Sequence, residues 1–349
     1  MENNLVIKID PDKFEKKPLK NFKIVHEPEE IKKPPGLINY GNTCFFNTGL
    51  QILLTSSRFC NFINKDHNPD QVQEEPVSKS INCIREILTN KDDIGNTQKT
   101  LCDIIGSKRP EYNSGLQQDC HECMIYLIDF LNTGTMKKEE PERVKRKVSL
   151  GKEHSEIMKA FGNFYWDEHT YRMQYGIKSF HGLYHSSTTC SVCKTENNRW
   201  DLFNNVSLMV THKNFKDWLG DFCKEEVLEG YECEKCGQRQ NAIRQIEVWR
   251  YPKTLILHSI SKTFKNISTE IMVKEPVHNN CKFVLQSIGF HSGASLHSGH
   301  YYCCVNRNSK WWFISDENVS GPIDPFKELP SHINNSYILL YERVSKNMD

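Results

Sequence analysis

The sequence predicts an α+β fold, helical in its N-terminal half and strand-rich in its C-terminal half. Three observations carry this. Between residues 36 and 134 apolar groups recur at helical spacing, as in Gly49-Leu50-Gln51-Ile52-Leu53-Leu54 and the run from Met124 to Leu131. From about residue 177 short β-type runs take over: Asn205 to Val210, Thr254 to His258, Lys282 to Ile288 and Ser336 to Tyr341. The two patterns follow one another instead of alternating, which favours α+β over a parallel α/β sheet. Residues 1–35 are polar and lysine-rich and close on Pro34-Pro35; they are expected to form a flexible arm with one short strand, Leu5 to Ile9. Residues 135–160 are a charge run with little apolar content, expected as a solvated insertion. Residues 346–349 are a tail.

Composition excludes several classes. Across 349 residues, 38% are hydrophobic and 26% charged, enough apolar material for a globular core. A net charge of +1 gives no bulk attraction to nucleic acid or to an anionic membrane. No stretch approaches ~20 apolar residues, so no transmembrane helix is expected. The first residues lack an apolar core of signal-peptide length, so secretion is not expected either. Fourteen cysteines in a chain that is not secreted point to free thiols, metal ligation or catalysis before disulfides.

The run Gly36-Leu37-Ile38-Asn39-Tyr40-Gly41-Asn42-Thr43-Cys44-Phe45-Phe46-Asn47 reads as a Gly/Asn loop feeding a helix that starts near Thr43-Cys44. A thiol at a helix N-terminus feels its partial positive charge and free N–H groups, both of which favour the attacking thiolate. Asn39, in the same loop, has an amide able to donate to an oxyanion. For a lone cysteine, burial as a small apolar residue is the commoner outcome.

Cys190-Ser191-Val192-Cys193 and Cys233-Glu234-Lys235-Cys236 form two Cys-x-x-Cys knuckles. Each pair can supply two thiolates to a tetrahedral zinc ion, and four cysteines leave no open position for water, so the site is expected to be structural. Gly237 suits the tight turn of such a knuckle. Cys223 lies nearby without a partner pair.

Taken together, the cysteine run, Gln117-Gln118-Asp119-Cys120-His121-Glu122, and His291-Ser292-Gly293 followed by Ser298-Gly299-His300-Tyr301 resemble the three ordered boxes of the ubiquitin-specific proteases (peptidase C19). The resemblance covers roughly 36 to 344. It implies a papain-like cysteine protease shaped as a hand: a thumb over about 36–175, zinc-bearing fingers over about 178–250 that grip ubiquitin, and a palm over about 251–345. By the same resemblance Cys44 is the nucleophile, His300 the general base and acid, and Asn39 the oxyanion donor. Gly299 leaves room for a narrow channel that admits a tail ending in two glycines. Gln118 and Asp119 are expected to cap a helix, His291 to be structural, and Cys120 and Cys123 to be buried packing residues.

The third triad member departs from the family pattern of Asn or Asp followed by Asp. In Trp311-Trp312-Phe313-Ile314-Ser315-Asp316, aligning Asp316 with the second acid puts Ser315 at the triad position. A hydroxyl can accept the histidine Nδ1–H, which fixes the tautomer, but cannot stabilise an imidazolium by charge. Asp316 is a second candidate, reaching the histidine only at a bulge or strand end. A Cys-His-Ser triad is characteristic of the mitochondrial branch of the family, and Phe180-His181-Gly182 and Leu340 to Val344 agree with it. The resemblance implies a deubiquitinase acting on ubiquitin and its conjugates, a structural zinc, no nucleic acid, and a monomer. It places the chain in the cytoplasm, or at the mitochondrial outer membrane if the branch holds. The alternatives are a protease for a ubiquitin-like modifier and an inactive ubiquitin-binding module.

Overall fold

Chain order in the computed structural model runs from helices to sheets, over residues 33–344 except 66, 68–71, 73, 91–92, 136–163, 166–175, 211–213, 261–262, 265, 276–279 and 296–297. The expected arm and its strand at Leu5 to Ile9, and almost all of the charge run, lie outside the described residues. Helix α1 (Cys44–Leu53) follows Gly41 and Asn42, both in left-handed conformation (φ 80° and 61°). All ten of its residues are buried, the polar Asn47, Thr48 and Gln51 among them. Helix α2 (Ser57–Asn64) starts where the Ser56 hydroxyl accepts from Phe59 N, and α4 (Ile94–Lys108) where Asp93 accepts from Asn96 N. Helix α3 (Glu75–Leu88) carries proline in its first turn. Helix α5 (Cys120–Thr133) is capped by Asp119, whose carboxylate accepts from Glu122 N. Cys120 and Cys123, on its first turn, are buried packing residues.

The strands form two sheets. In the smaller, β1 (Gly182–Cys190), β2 (Glu196–Phe203), β4 (Glu226–Glu232) and β5 (Arg239–Arg250) run antiparallel in the order β2-β1-β5-β4. The larger has the order β11-β10-β9-β8-β12-β6-β3, with β7 (Glu270–Val273) also paired to β8. Its members are β3 (Val206–Leu208), β6 (Thr254–Ser259), β8 (Cys281–Ser295), β9 (Ser298–Arg307), β10 (Lys310–Ser315), β11 (Asn318–Ile323) and β12 (Ser336–Arg343). Among the described strands only β3 and β6 pair in parallel. The predicted run at 282–288 is the first half of a longer strand, and the one at 205–210 shrinks to three residues.

Strand parity decides what faces what. Tyr301, Cys303 and Val305 join Trp312, Ile314, Ile338 and Leu340 in one core with α1, α2, α3 and α5. Tyr302 and Cys304 join Ile288, Phe290, Leu339 and Tyr341 in a second core on the other face. A sheet covered on both faces reads in sequence as an unbroken apolar run, as in Tyr337 to Tyr341. Helix α1 packs against α5, β8 and β9, which fixes its N-terminus beside the sheet.

Candidate active site and cysteine cluster

Cys44 is the first residue of α1 and is buried. Burial pushes its thiol above the ordinary value; a hydrogen bond with the Tyr301 backbone pulls it down, and the Asp316 carboxylate adds to the rise. The thiolate expected from the helix terminus is therefore not favoured at rest, because loss of solvent outweighs the terminal N–H groups. The contact with Tyr301 brings the thiol to the residue beside His300.

His300 lies on β9 opposite Ser292 of β8. Ile314 pairs with Cys303, so the antiparallel register sets Ser315 level with Tyr302, one pleat from His300 and on the same face. The His300 Nε2 to Ser315 Oγ distance is 2.8 Å. The nitrogen in contact is Nε2, where the sequence reading names Nδ1. Asp316, the next residue, ends the strand in a left-handed turn conformation (φ 51°). Its Oδ2 lies 4.0 Å from His300 Nε2, beyond hydrogen-bond reach.

Asp316 instead faces the cysteine loop and α1. Its Oδ2 accepts from Asn39 Nδ2 at 2.9 Å and its Oδ1 from Asn47 Nδ2 at 2.8 Å, while its carbonyl accepts from Leu37 N at 3.0 Å. Asn39 Oδ1 in turn accepts from Thr43 N at 2.9 Å, holding the loop against the start of α1. Asn47 Oδ1 accepts from buried Gln98. Sequence reasoning gave Asn47 and Gln98 no role. The available signal was a polar residue in an apolar first turn, since a buried amide needs partners. Gln117 was likewise unassigned; its amide donates to the Gly299 carbonyl across the cleft.

Gly299 adopts φ 143°, and a Cβ there would come within 2.3 Å of the Ser292 carbonyl oxygen. Only glycine lets β8 and β9 approach so closely at this point. His291 is buried with its ring 4.4 Å from that of Tyr301.

The four knuckle cysteines converge at one end of the smaller sheet. Their sulfurs lie within 4.8 Å of one another, with Cys193 to Cys233 at 3.6 Å and Cys190 to Cys236 at 4.0 Å. Four thiolates around one ion at ~2.3 Å would stand ~3.8 Å apart, so the set fits a single tetrahedral metal ion. Thr195 beside Cys193 holds its thiol down at about 6, and Gly237 takes the left-handed turn (φ 64°) of the second knuckle. Cys223 lies outside the cluster.

A sequence model of the family described as ubiquitin carboxyl-terminal hydrolase matches residues 35–341. The chain is 25% identical to the probable ubiquitin carboxyl-terminal hydrolase 16 of Schizosaccharomyces pombe over 341 residues, covering 89% of this chain and 67% of that protein. It is 25% identical to ubiquitin carboxyl-terminal hydrolase 2 of Homo sapiens over 344 residues, covering 89% and 55%. For ubiquitin carboxyl-terminal hydrolase 23 of Arabidopsis thaliana the identity is 25%, and the chain spans 36% of that protein. The Ubp8-containing SAGA DUB module bound to monoubiquitin offers a solved chain that superposes with a TM-score of 0.69 at 20% identity, covering 93% of this chain and 72% of that one. At that identity the likeness establishes the fold: the mixed helix-and-sheet catalytic domain of the ubiquitin-specific proteases.

Proposed function

The chain belongs to the ubiquitin carboxyl-terminal hydrolase family, and on that premise we propose that it is a cysteine-type deubiquitinating peptidase that hydrolyses the isopeptide bond after the C-terminal glycine of ubiquitin. The observation that carries this reading is the meeting, at the N-terminus of α1, of the Cys44 thiol, the Asn39 amide and the paired strands β9 and β10, which bear His300 and Ser315.

In this mechanism the imidazole keeps its proton on Nε2 and donates it to Ser315 Oγ. That leaves the Nδ1 lone pair to take the proton of Cys44 as the sulfur attacks the glycine carbonyl. A thiol raised by burial needs such a base, because little of it is ionised beforehand. The tetrahedral oxyanion is met by an Asn39 N–H. Asp316 fixes that amide through its Oδ2 and anchors α1 through Asn47, so it acts by positioning. Collapse breaks the C–N bond and forms the thioester, and His300 passes its proton to the departing lysine amine. Water, deprotonated by His300, then attacks the thioester and releases Cys44 with its proton restored. Gly299 keeps the approach thin enough for a Gly-Gly tail.

The four knuckle cysteines would hold zinc as a structural ion; it supplies no step of the reaction. Residues about 36–175, the smaller sheet within about 178–250, and the larger sheet, which takes β3 from within that span and its other strands from about 251 on, then serve as thumb, fingers and palm. A neutral Ser315 as the residue orienting His300 supports placement in the mitochondrial ubiquitin-specific protease 30 branch. Among the described residues no helix is long and apolar enough to cross a membrane, so that placement concerns the catalytic domain; the compartment is cytoplasmic or mitochondrial outer membrane. We take the unit of action as a monomer.

The test is reaction with ubiquitin carrying a C-terminal thiol-reactive group. The expected result is a covalent adduct through Cys44 that Cys44→Ala abolishes. Ubiquitin binding without an adduct would assign the chain to the inactive binding modules, and an adduct only with another modifier would assign it to a ubiquitin-like substrate.

A further inference from the structure

Helix α1 begins differently from α2, α4 and α5. In those three the side chain just before the helix accepts from a backbone N–H of the first turn: Ser56 from Phe59, Asp93 from Asn96, Asp119 from Glu122. Thr43 holds the equivalent position ahead of Cys44, and its side chain caps nothing. Its ψ is 10°, against 115° at Ser56 and 125° at Asp119. The extended conformation that aims a hydroxyl at the first turn is therefore missing at Thr43. The Cys44 and Phe45 N–H groups are turned to the thiol.

The Thr43 hydroxyl works in the opposite direction, back into the cysteine loop. Its Oγ1 accepts from Tyr40 N at 2.9 Å and donates to Asn39 Oδ1 at 3.3 Å. Thr43 N donates to the same oxygen at 2.9 Å. At the other end of that amide, Asn39 Nδ2 donates to Asp316 Oδ2 at 2.9 Å. Turning the amide over would set its NH2 against the Thr43 donors and its oxygen against a carboxylate, so each end enforces the other. One Nδ2 hydrogen is taken by Asp316; the second has no protein acceptor among the described residues. Asn39 is exposed, so water competes for both ends of the amide, and one bond alone would hold it weakly.

We propose that Thr43 is a positioning residue of the peptidase reaction: its hydroxyl holds the Asn39 amide in the orientation that offers a free N–H to the oxyanion. The role depends on the peptidase reading of the cleft, since Thr43 acts through Asn39. Asp316 grips the donor end of the amide and Thr43 the acceptor end. The adjacent Asn42 faces the other way, donating through Nδ2 to the Gly115 carbonyl at 2.8 Å. Neighbouring residues thus divide the loop: Asn42 fastens it to the segment leading to Gln117, and Thr43 sets its amide. An amide free to turn would present its oxygen to the oxyanion for part of the time, and that repulsion would slow turnover.

The test is turnover of a fluorogenic C-terminal amide of ubiquitin by the full chain. Thr43→Val, which keeps the branched shape and loses the hydroxyl, should lower kcat about tenfold with KM within about twofold. Thr43→Ala should lose as much, and Thr43→Ser, which keeps the hydroxyl, should restore most of the rate. The unfolding midpoint should stay near the parent's, because this hydroxyl caps no helix N–H. In an Asn39→Ala background Thr43→Val should add less than about a twofold loss, because the amide it orients is gone. Crystal structures should keep Asn39 within hydrogen-bond distance of Asp316 in the parent and in Thr43→Ser, and show it displaced in Thr43→Val. Parent-like kcat in Thr43→Val overturns the proposal. So does a loss that falls on KM, that multiplies in full with that of Asn39→Ala, or that leaves Asn39 unmoved. In all of these the parent is an active peptidase. A parent with no turnover and no Cys44 adduct is the separate failure, that of the peptidase reading, and it removes the Thr43 role as well.

Discussion

The cleft and the cysteine cluster are built in opposite ways. The cluster takes its ligands from two four-residue turns at neighbouring strand ends of one antiparallel sheet, with Cys190 and Cys236 only 46 residues apart. The cleft is stitched from the two ends of the domain: Asn39 and Asp316 meet across 277 positions, Asn47 and Asp316 across 269. A site made of local turns depends on its ligands; a site made of distant segments depends on the residues that join them. In the cleft that joint is Asp316, which touches the Asn39 loop and α1 and lies outside hydrogen-bond reach of the His300 ring that Ser315 contacts.

Five outcomes would break or sharpen this contrast. The largest concerns the proposed nucleophile. Cys44→Ala should lower kcat/KM for a fluorogenic C-terminal amide of ubiquitin by at least about 10⁴-fold, with binding of ubiquitin retained.

Next come the two neighbours at the strand end. Asp316→Ala leaves two amides without their acceptor and unpins Asn39, so about a 10²-fold loss in kcat is expected together with a lower unfolding midpoint. Ser315→Ala removes one neutral hydrogen bond from His300. It should cost about 10- to 100-fold in kcat with no change in midpoint. Full turnover in Ser315→Ala, set beside an inactive Asp316→Ala, would transfer the orienting role to the carboxylate.

The cluster should fail differently. Metal analysis should find near one zinc per chain, lost in Cys233→Ser. That variant should raise KM for the ubiquitin substrate about tenfold and leave kcat largely intact, with a lower melting point for the sheet. A folded, metal-free parent would remove zinc from the account.

The smallest effect is on alkaline stability. Burial pushes Cys60 up to about 11 and Cys102 and Cys304 up to about 12, from an ordinary 9.0. Their folded-state values are raised, so the stability they contribute is complete below pH 9 and is lost as pH climbs from 9 towards 11–12. At ~1.4 kcal/mol per unit, each thiol accounts for on the order of a few kcal/mol. A urea midpoint that holds flat below pH 9 and falls above it checks the sign.

The same contrast explains what the sequence made legible. The knuckles were readable because ligand spacing is local, and Gly237 was readable because the turn demands it. The start of α1 at Cys44 was marked by Gly41 and Asn42, and the cap of α5 by Asp119. The lengths of the strands were not, because β8 runs seven residues past its apolar signal on partners that a linear pattern does not contain. Asn47 and Gln98 were silent for the same reason. The thiol's resting state was misjudged because the helix terminus is visible in sequence and burial is not. Which nitrogen meets Ser315 depends on the β9–β10 register, which only the folded sheet sets.

The joint at Asp316 also has a temporal consequence. The cysteine loop emerges early in synthesis, and the residue that fastens it comes some 277 positions later. A growing chain ending short of that turn carries a reactive-type cysteine with no assembled machinery around it. Contacts of such separation form late, after the loop-closure entropy between them is met. On the proposed mechanism, proteolytic competence therefore arrives with the last strands, and its appearance during refolding or translation would time-stamp completion of the domain.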